Sequence, residues 1–158
     1  MKKIFLSIIL LVFGCLSVNS QGCLPEGITF TTQAQIDSFP INYPGCTGIE
    51  GLVVISGSNI TNLNGLDVLS SIGGNLEIQD NNALISLAGL DNLTFIGGNL
   101  IIGGGWDGNP VLTNLMGLEN LTSIAGDLVI SGTTALTSLS LLGGVTSIGG
   151  DLMIGDLY

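Results

Sequence analysis

From residue 49 onward the chain repeats itself, and the repeat limits the fold more than any other feature. Ile72-Gly73-Gly74-Asn75-Leu76-Glu77-Ile78 recurs at residues 96–102, 124–130 and 148–154, with Ile49-Glu50-Gly51-Leu52-Val53-Val54-Ile55 as a looser first copy. The aligned glycines Gly51, Gly74, Gly98, Gly126 and Gly150 are separated by 23, 24, 28 and 24 residues. The long step contains Gly103-Gly104-Gly105-Trp106 and reads as a four-residue insertion. A fixed period of this size predicts a solenoid, in which each turn of chain buries its apolar face only by stacking on its neighbours.

Two spacings alternate inside each repeat. Leu63, Leu66, Leu69 and Ile72 recur every third residue, then Leu76 and Ile78 every second; the later copies do the same. A period of two is a strand, with Leu76 and Ile78 on one face and Asn75, Glu77 and Gln79 on the other. An unbroken period of three is not an amphipathic helix, whose apolar stripe runs i, i+3, i+4, i+7. Gly65, Gly89 and Gly117 in the middle of these stretches disfavour a helix further. They are expected to be short extended pieces and bends that return aliphatic side chains to a shared core. The paired glycines before each strand suit a tight corner with unusual φ.

The first 48 residues differ. Lys2 and Lys3, the apolar run Ile4–Leu16 and the polar Ser17–Gln21 have the order of a signal peptide. The run is shorter than the roughly 20 residues needed to span a bilayer. Residues 1–20 are therefore expected to be removed after Val18-Asn19-Ser20, with no transmembrane helix in the mature chain. Acylation of Cys15, as in a lipoprotein, is the alternative. The short, two-lysine segment looks bacterial. Export leaves Cys23 and Cys46, and an even pair in an oxidising compartment suggests a disulfide, against two buried free thiols. Thr32 and Gln35 have capping-box spacing, Ile36 and Phe39 follow at helical spacing, and Pro40 is expected to end that helix. Residues 21–48 would then cap the repeats of residues 49–158. The last strand, Leu152–Ile154, shows no comparable cover in the sequence. This suggests either that the chain continues in a longer protein or that the final rung associates with a second chain.

Charge excludes several functions. The chain has 12 acidic residues, no His, and only Lys2 and Lys3 as basic residues. Phosphate neutralisation on nucleic acid needs Lys or Arg. A catalytic His, a Schiff-base Lys and an arginine clamp are equally out of reach. A glycosidase needs two carboxylates facing one another across a cleft, whereas acids that recur with a repeat form columns. No enzyme activity and no cofactor are expected.

The order Cys23, helix, Cys46, then Ile49-Glu50-Gly51-Leu52-Val53-Val54-Ile55 resembles the first rung of receptor L domains, the leucine-rich β-helical modules of receptor ectodomains. The Leu-Thr-Ser-Ile style of Leu121–Ile130 and Val145–Ile154 is similar to L-domain-like repeats of bacterial surface proteins. The resemblance covers about residues 23–158. It implies an all-β solenoid: a right-handed parallel β-helix of about 24-residue leucine-rich rungs, with a disulfide-tethered helical cap at its N-terminus. It also implies extracellular binding or adhesion, secreted or at the cell surface. A protein or glycan would be the partner, with a structural spacer in a larger surface protein as the alternative and a polysaccharide-active enzyme as the more remote one.

Strand alternation points Leu52, Val54, Glu77, Gln79, Ile101, Val129 and Met153 away from the core. Most are apolar where a solvated sheet face is normally polar, which marks a contact surface. Trp106, the sole Trp, follows the strand ending at Ile102. It is expected either to reach over this face as a contact residue or to fold back and cover it. Two acidic columns, Asp67/Asp91/Glu119 and Asn75/Asn99/Asp127/Asp151, read as solvated corners, with Ca²⁺ coordination as the rival; no calcium-loop spacing is present. Asn82, Asn109 and Thr134 recur before the first aliphatic of a rung and read as structural. The sequons at Asn59, Asn92 and Asn120 follow from the repeat. Thr61, Thr113 and Thr137 flank bends, which does not suit an ice-binding array.

Overall fold

The computed structural model describes residues 22–155; the signal segment, its cleavage site and Cys15 lie outside the described residues. Each turn of the chain contributes one strand to each of two parallel sheets. The first turn carries β1 (Gly22–Cys23) and β2 (Ile28–Phe30), followed by helix α1 (Gln33–Asn42). The next turns carry β3 (Gly48–Ile49) and β4 (Val53–Ile55), β5 (Ser71–Ile72) and β6 (Leu76–Ile78), and β7 (Phe95–Ile96) and β8 (Leu100–Gly103). The last two carry β9 (Ser123–Ile124) and β10 (Leu128–Ser131), then β11 (Ser147–Ile148) and β12 (Leu152–Ile154). Odd-numbered strands form a six-stranded sheet A and even-numbered strands a six-stranded sheet B. The chain is an all-β solenoid with a single helix among the described residues.

The register follows the repeat. Val53 pairs with Leu76, Leu76 with Leu100, Leu100 with Leu128, and Leu128 with Leu152. Inside run columns of aliphatic side chains, and those from Ile49 to Ile124 are almost wholly excluded from solvent. The third side of each turn, where spacing is by three, contains no strand. It bends through turns and two short 3₁₀ segments, Asn64–Leu66 and Ser140–Leu142. Its bends present Leu63, Leu87 and Leu115 inward, all fully buried.

At the corner between the sheets the glycines are needed for space rather than for unusual φ. None of Gly73, Gly74, Gly97, Gly98, Gly126, Gly149 or Gly150 has positive φ. A Cβ on Gly74 would lie 2.6 Å from the Gly51 carbonyl carbon of the preceding turn. Stacked backbones approach too closely there for a side chain.

The N-terminal region is more than a helix. Strands β1 and β2 extend both sheets by one turn, which sequence spacing did not reveal. Helix α1 then takes the third side. Its capping box is closed: the Gln35 N–H donates to Thr32 Oγ1 (3.4 Å) and the Thr32 N–H to Gln35 Oε1 (3.0 Å). Pro40 does not end the helix, which runs on to Asn42. Proline leaves the carbonyl four residues earlier, that of Ile36, without a helical donor. Gly65 of the next turn packs directly on that carbonyl, where a Cβ would collide with it. Ile36 and Phe39 are fully buried, and Phe39 meets Phe30 edge-on with ring centroids 5.8 Å apart. A disulfide joins Cys23 of β1 to Cys46 just past the helix, with Cα atoms 5.7 Å apart. The other end is open among the described residues: Leu152 and Ile154 are each 56% exposed.

Candidate functional site

Sheet B turns its middle row of side chains outward. Val54, Glu77, Ile101, Val129 and Met153 are consecutive partners in register and form one column across five turns. Thr29 continues it on β2. At the parallel-strand spacing, neighbouring members lie about 4.8 Å apart. Four of the five are apolar, and Glu77 sits between Val54 and Ile101; Val129 is buried and the other four are part-exposed. Leu52 and Gln79 fall outside this column. Leu52, 40% exposed, precedes β4 in register with Asn75, and Gln79 follows β6 in register with Ser56 and Gly103.

The insertion leaves the turn of Ile101, the middle member of this column, just past the end of β8. The Gly104 N–H donates to the Ser131 carbonyl (3.2 Å) and the Asn109 N–H to the Gly132 carbonyl (3.0 Å). Residues 105–108 therefore leave the turn between two positions that face adjacent residues of the next turn. The four extra residues are 105–108 rather than 103–106. Gly103, Gly104 and Gly105 have φ of 87°, 75° and 69°, a left-handed run that only glycine adopts readily. The run turns three backbone N–H groups onto one acceptor. Trp106, Asp107 and Gly108 donate to Asp80 Oδ1 at 3.0, 3.0 and 3.3 Å. Asp80 itself holds φ of 56° just after β6. Its role was missed in the sequence; the adjacent glycine run and the extra residues were the available signals. Trp106 neither folds back nor covers the sheet face: it is fully exposed on this tethered loop.

The repeated polar positions serve the backbone. Along the corner, Asn99 N–H donates to Asn75 Oδ1 (2.9 Å), Asp127 N–H to Asn99 Oδ1 (2.8 Å) and Asp151 N–H to Asp127 Oδ1 (2.8 Å). This is a ladder that links turns, not a set of independently solvated corners. In the other acidic column, Asp91 and Glu119 fold back to accept the N–H of Gly89 and Gly117, both at 2.7 Å. The structural amide after sheet B is Asn81, not Asn82, which is exposed. Asn81 and Asn109 are fully buried. Asn109 Oδ1 accepts the Asn81 N–H (3.1 Å), and Asn109 Nδ2 donates to the Ile78 carbonyl (2.7 Å). Thr134 is likewise exposed and outside this ladder. The sequon residues Asn92 and Asn120 donate to the carbonyls of Asp67 and Asp91 (2.6 and 2.7 Å). Thr61 binds the Gln33 side chain and Thr113 the Ile85 carbonyl.

Among the described residues no group of three or more His, Cys, Asp or Glu is placed to hold a metal ion. No helix among them is long and apolar enough to cross a membrane. What remains is a row of mostly apolar side chains on the outer face of sheet B, interrupted by Glu77 and with Val129 buried, and an exposed Trp106 on a tethered loop of the same turn as Ile101. No curated protein and no solved structure matches the chain. Residues 45–106, from the end of the cap to the exposed tryptophan, match the family model described as Receptor L domain, and this match supports kinship with the receptor L-domain family.

Proposed function

We propose that this chain is an exported, non-catalytic binding or adhesion module that recognises a protein or glycan through the outer face of sheet B. The carrying observation is the in-register column Val54, Glu77, Ile101, Val129 and Met153, part-exposed except for the buried Val129, with the fully exposed Trp106 on a loop of the same turn as Ile101. A solvated sheet face is ordinarily polar, and adjoining apolar side chains on it favour a partner. Trp is the residue type most enriched where contacts carry binding energy. The receptor L-domain match at residues 45–106 supports a recognition role, and the Cys23–Cys46 disulfide suits an extracellular setting. Lys2, Lys3 and the apolar run behind them support export.

The test is a protein and glycan array probed with the wild-type chain and with Ile101→Ser and Trp106→Ala, each first shown folded by circular dichroism. The wild type is expected to retain a ligand that both variants lose or bind at least tenfold more weakly, the scale of one hot-spot residue. Equal affinity in both folded variants removes this face from consideration.

A further inference from the structure

We propose that the partner of this face is a cationic polypeptide segment, with Lys or Arg side chains alternating with apolar ones. One cation would meet Glu77 and another would lie on the Trp106 ring. This rests on the reading that the outer face of sheet B is the contact surface, and it adds the chemistry of the occupant.

Four observations lead there. The described residues include no Lys, Arg or His, against carboxylates spread along the whole solenoid. The field around the chain therefore draws in cations and repels anionic glycans, phosphates and nucleic acid. Second, the carboxylates divide into two sets. Asp80, Asp91, Glu119 and Asp127 accept backbone N–H groups of the chain itself. Glu77 and Asp107 accept none, as do Glu26, Glu50, Asp67 and Asp151, but of these six only Glu77 stands in the outward column of sheet B and only Asp107 adjoins Trp106, so their charge is left for a partner at this face. Third, Glu77 is half-buried and stands in register between Val54 and Ile101. A carboxylate flanked by aliphatic side chains fits the amphipathic stem of Lys or Arg, whose methylenes lie on apolar surface while the head pairs with the acid. A neutral sugar ring would cover Glu77 without neutralising it, and a partly desolvated carboxylate left so is costly. Fourth, Trp106 is fully exposed, neighbours Asp107, and belongs to a loop whose backbone is fixed by Asp80. Trp is the best aromatic face for a cation, and fixing its backbone beforehand lowers the ordering cost of binding.

Because Trp106 is the only Trp, its fluorescence reports on the site alone. The full mature chain would be titrated with a Trp-free peptide alternating Arg and Val, with its Glu/Val counterpart and with a neutral β-linked glucose oligomer. The Arg/Val peptide is expected to shift the emission saturably, with affinity falling at least about tenfold between low and high salt. Glu77→Gln and Asp107→Asn should each weaken it about two- to fivefold, and Glu77→Lys should abolish it. A saturable shift with the glucose oligomer or the Glu/Val peptide instead, no shift with Arg/Val, or salt-independent binding overturns the cationic assignment. If that happens while Ile101→Ser still loses the array ligand, the contact face stands and only its occupant is wrong. If Arg/Val binds Ile101→Ser as tightly as the wild type by fluorescence, and binds Trp106→Ala as tightly as the wild type by titration calorimetry, the face itself is wrong.

Discussion

At the scale of single residues, side-chain amides and carboxylates replace the backbone partners that a parallel stack leaves unmet at its corners. Asn109 shows the effect best: fully buried, its side chain accepts from Asn81 and donates to Ile78, both on the preceding turn. Asn109→Ala removes these bonds and the one from Asn81 Nδ2, and strands buried groups, each costing about 1–3 kcal/mol. Chemical denaturation should show a loss of about 2–4 kcal/mol, whereas Asn82→Ala, at an exposed position, should change little. The sequence hid this distinction because Asn81-Asn82 and Thr133-Thr134 are doublets, and a one-residue slip leaves the pattern looking the same. Asp80 gives a second expectation. Asp80→Ala removes the acceptor for three N–H groups and places alanine at φ of 56°. The loop should loosen, seen as a fall in Trp106 fluorescence anisotropy, while Asp80→Asn, which keeps Oδ1 and tolerates that φ, should stay near wild type. No repeat-based reading could reach Asp80, because the insertion that uses it occurs in one turn only.

At the scale of elements, the N-terminal cap is held by three independent devices: the capping box of α1, the Phe30–Phe39 edge contact and the Cys23–Cys46 bond. The two cysteines are separated by 23 positions, and in the chain-entropy account a loop of that size contributes about 3 kcal/mol. The double variant Cys23→Ala, Cys46→Ala should unfold at lower denaturant by about that amount. Free thiols in natively exported protein would contradict the bond. Much of this region was legible: Thr32, Gln35, Ile36, Phe39 and the cysteine pair all stand at informative spacings. What was not legible depends on tertiary fit. Pro40 reads as a terminator, yet the helix runs two residues past it, and the carbonyl it frees faces Gly65 of another turn. Strands β1 and β2 are two and three residues long and exist only because β3 and β4 lie beside them. The corner glycines were visible as a motif, but their reason was not: crowding between turns leaves no mark in the sequence of one turn.

At the scale of the molecule, stability in a stacked repeat is close to a sum of turn and nearest-neighbour terms, so it need not be uniform along the axis. The N-terminal end is closed by α1 and its core side chains are fully buried through Leu121 and Ile124. In the last turn Ile148 is only partly buried and Leu152 and Ile154 are each 56% exposed, so β12 gains burial from β10 on one side alone. Local opening costs least where few apolar contacts are lost. Backbone hydrogen exchange followed by mass spectrometry should therefore be graded: slowest in β4, β6 and β8, faster in β10 and fastest in β12. The same exposed leucine and isoleucine, with the edge of β12 that no described strand pairs, form the surface on which a second chain could settle. Association there buries Leu152 and Ile154, so exchange in β12 should slow as protein concentration rises, while β4 and β6 stay unchanged. Leu152→Gln with Ile154→Gln should remove that dependence. Concentration-independent exchange in the wild type, together with a monomeric mass by light scattering at high concentration, would rule out self-association through this end while leaving the gradient itself in place.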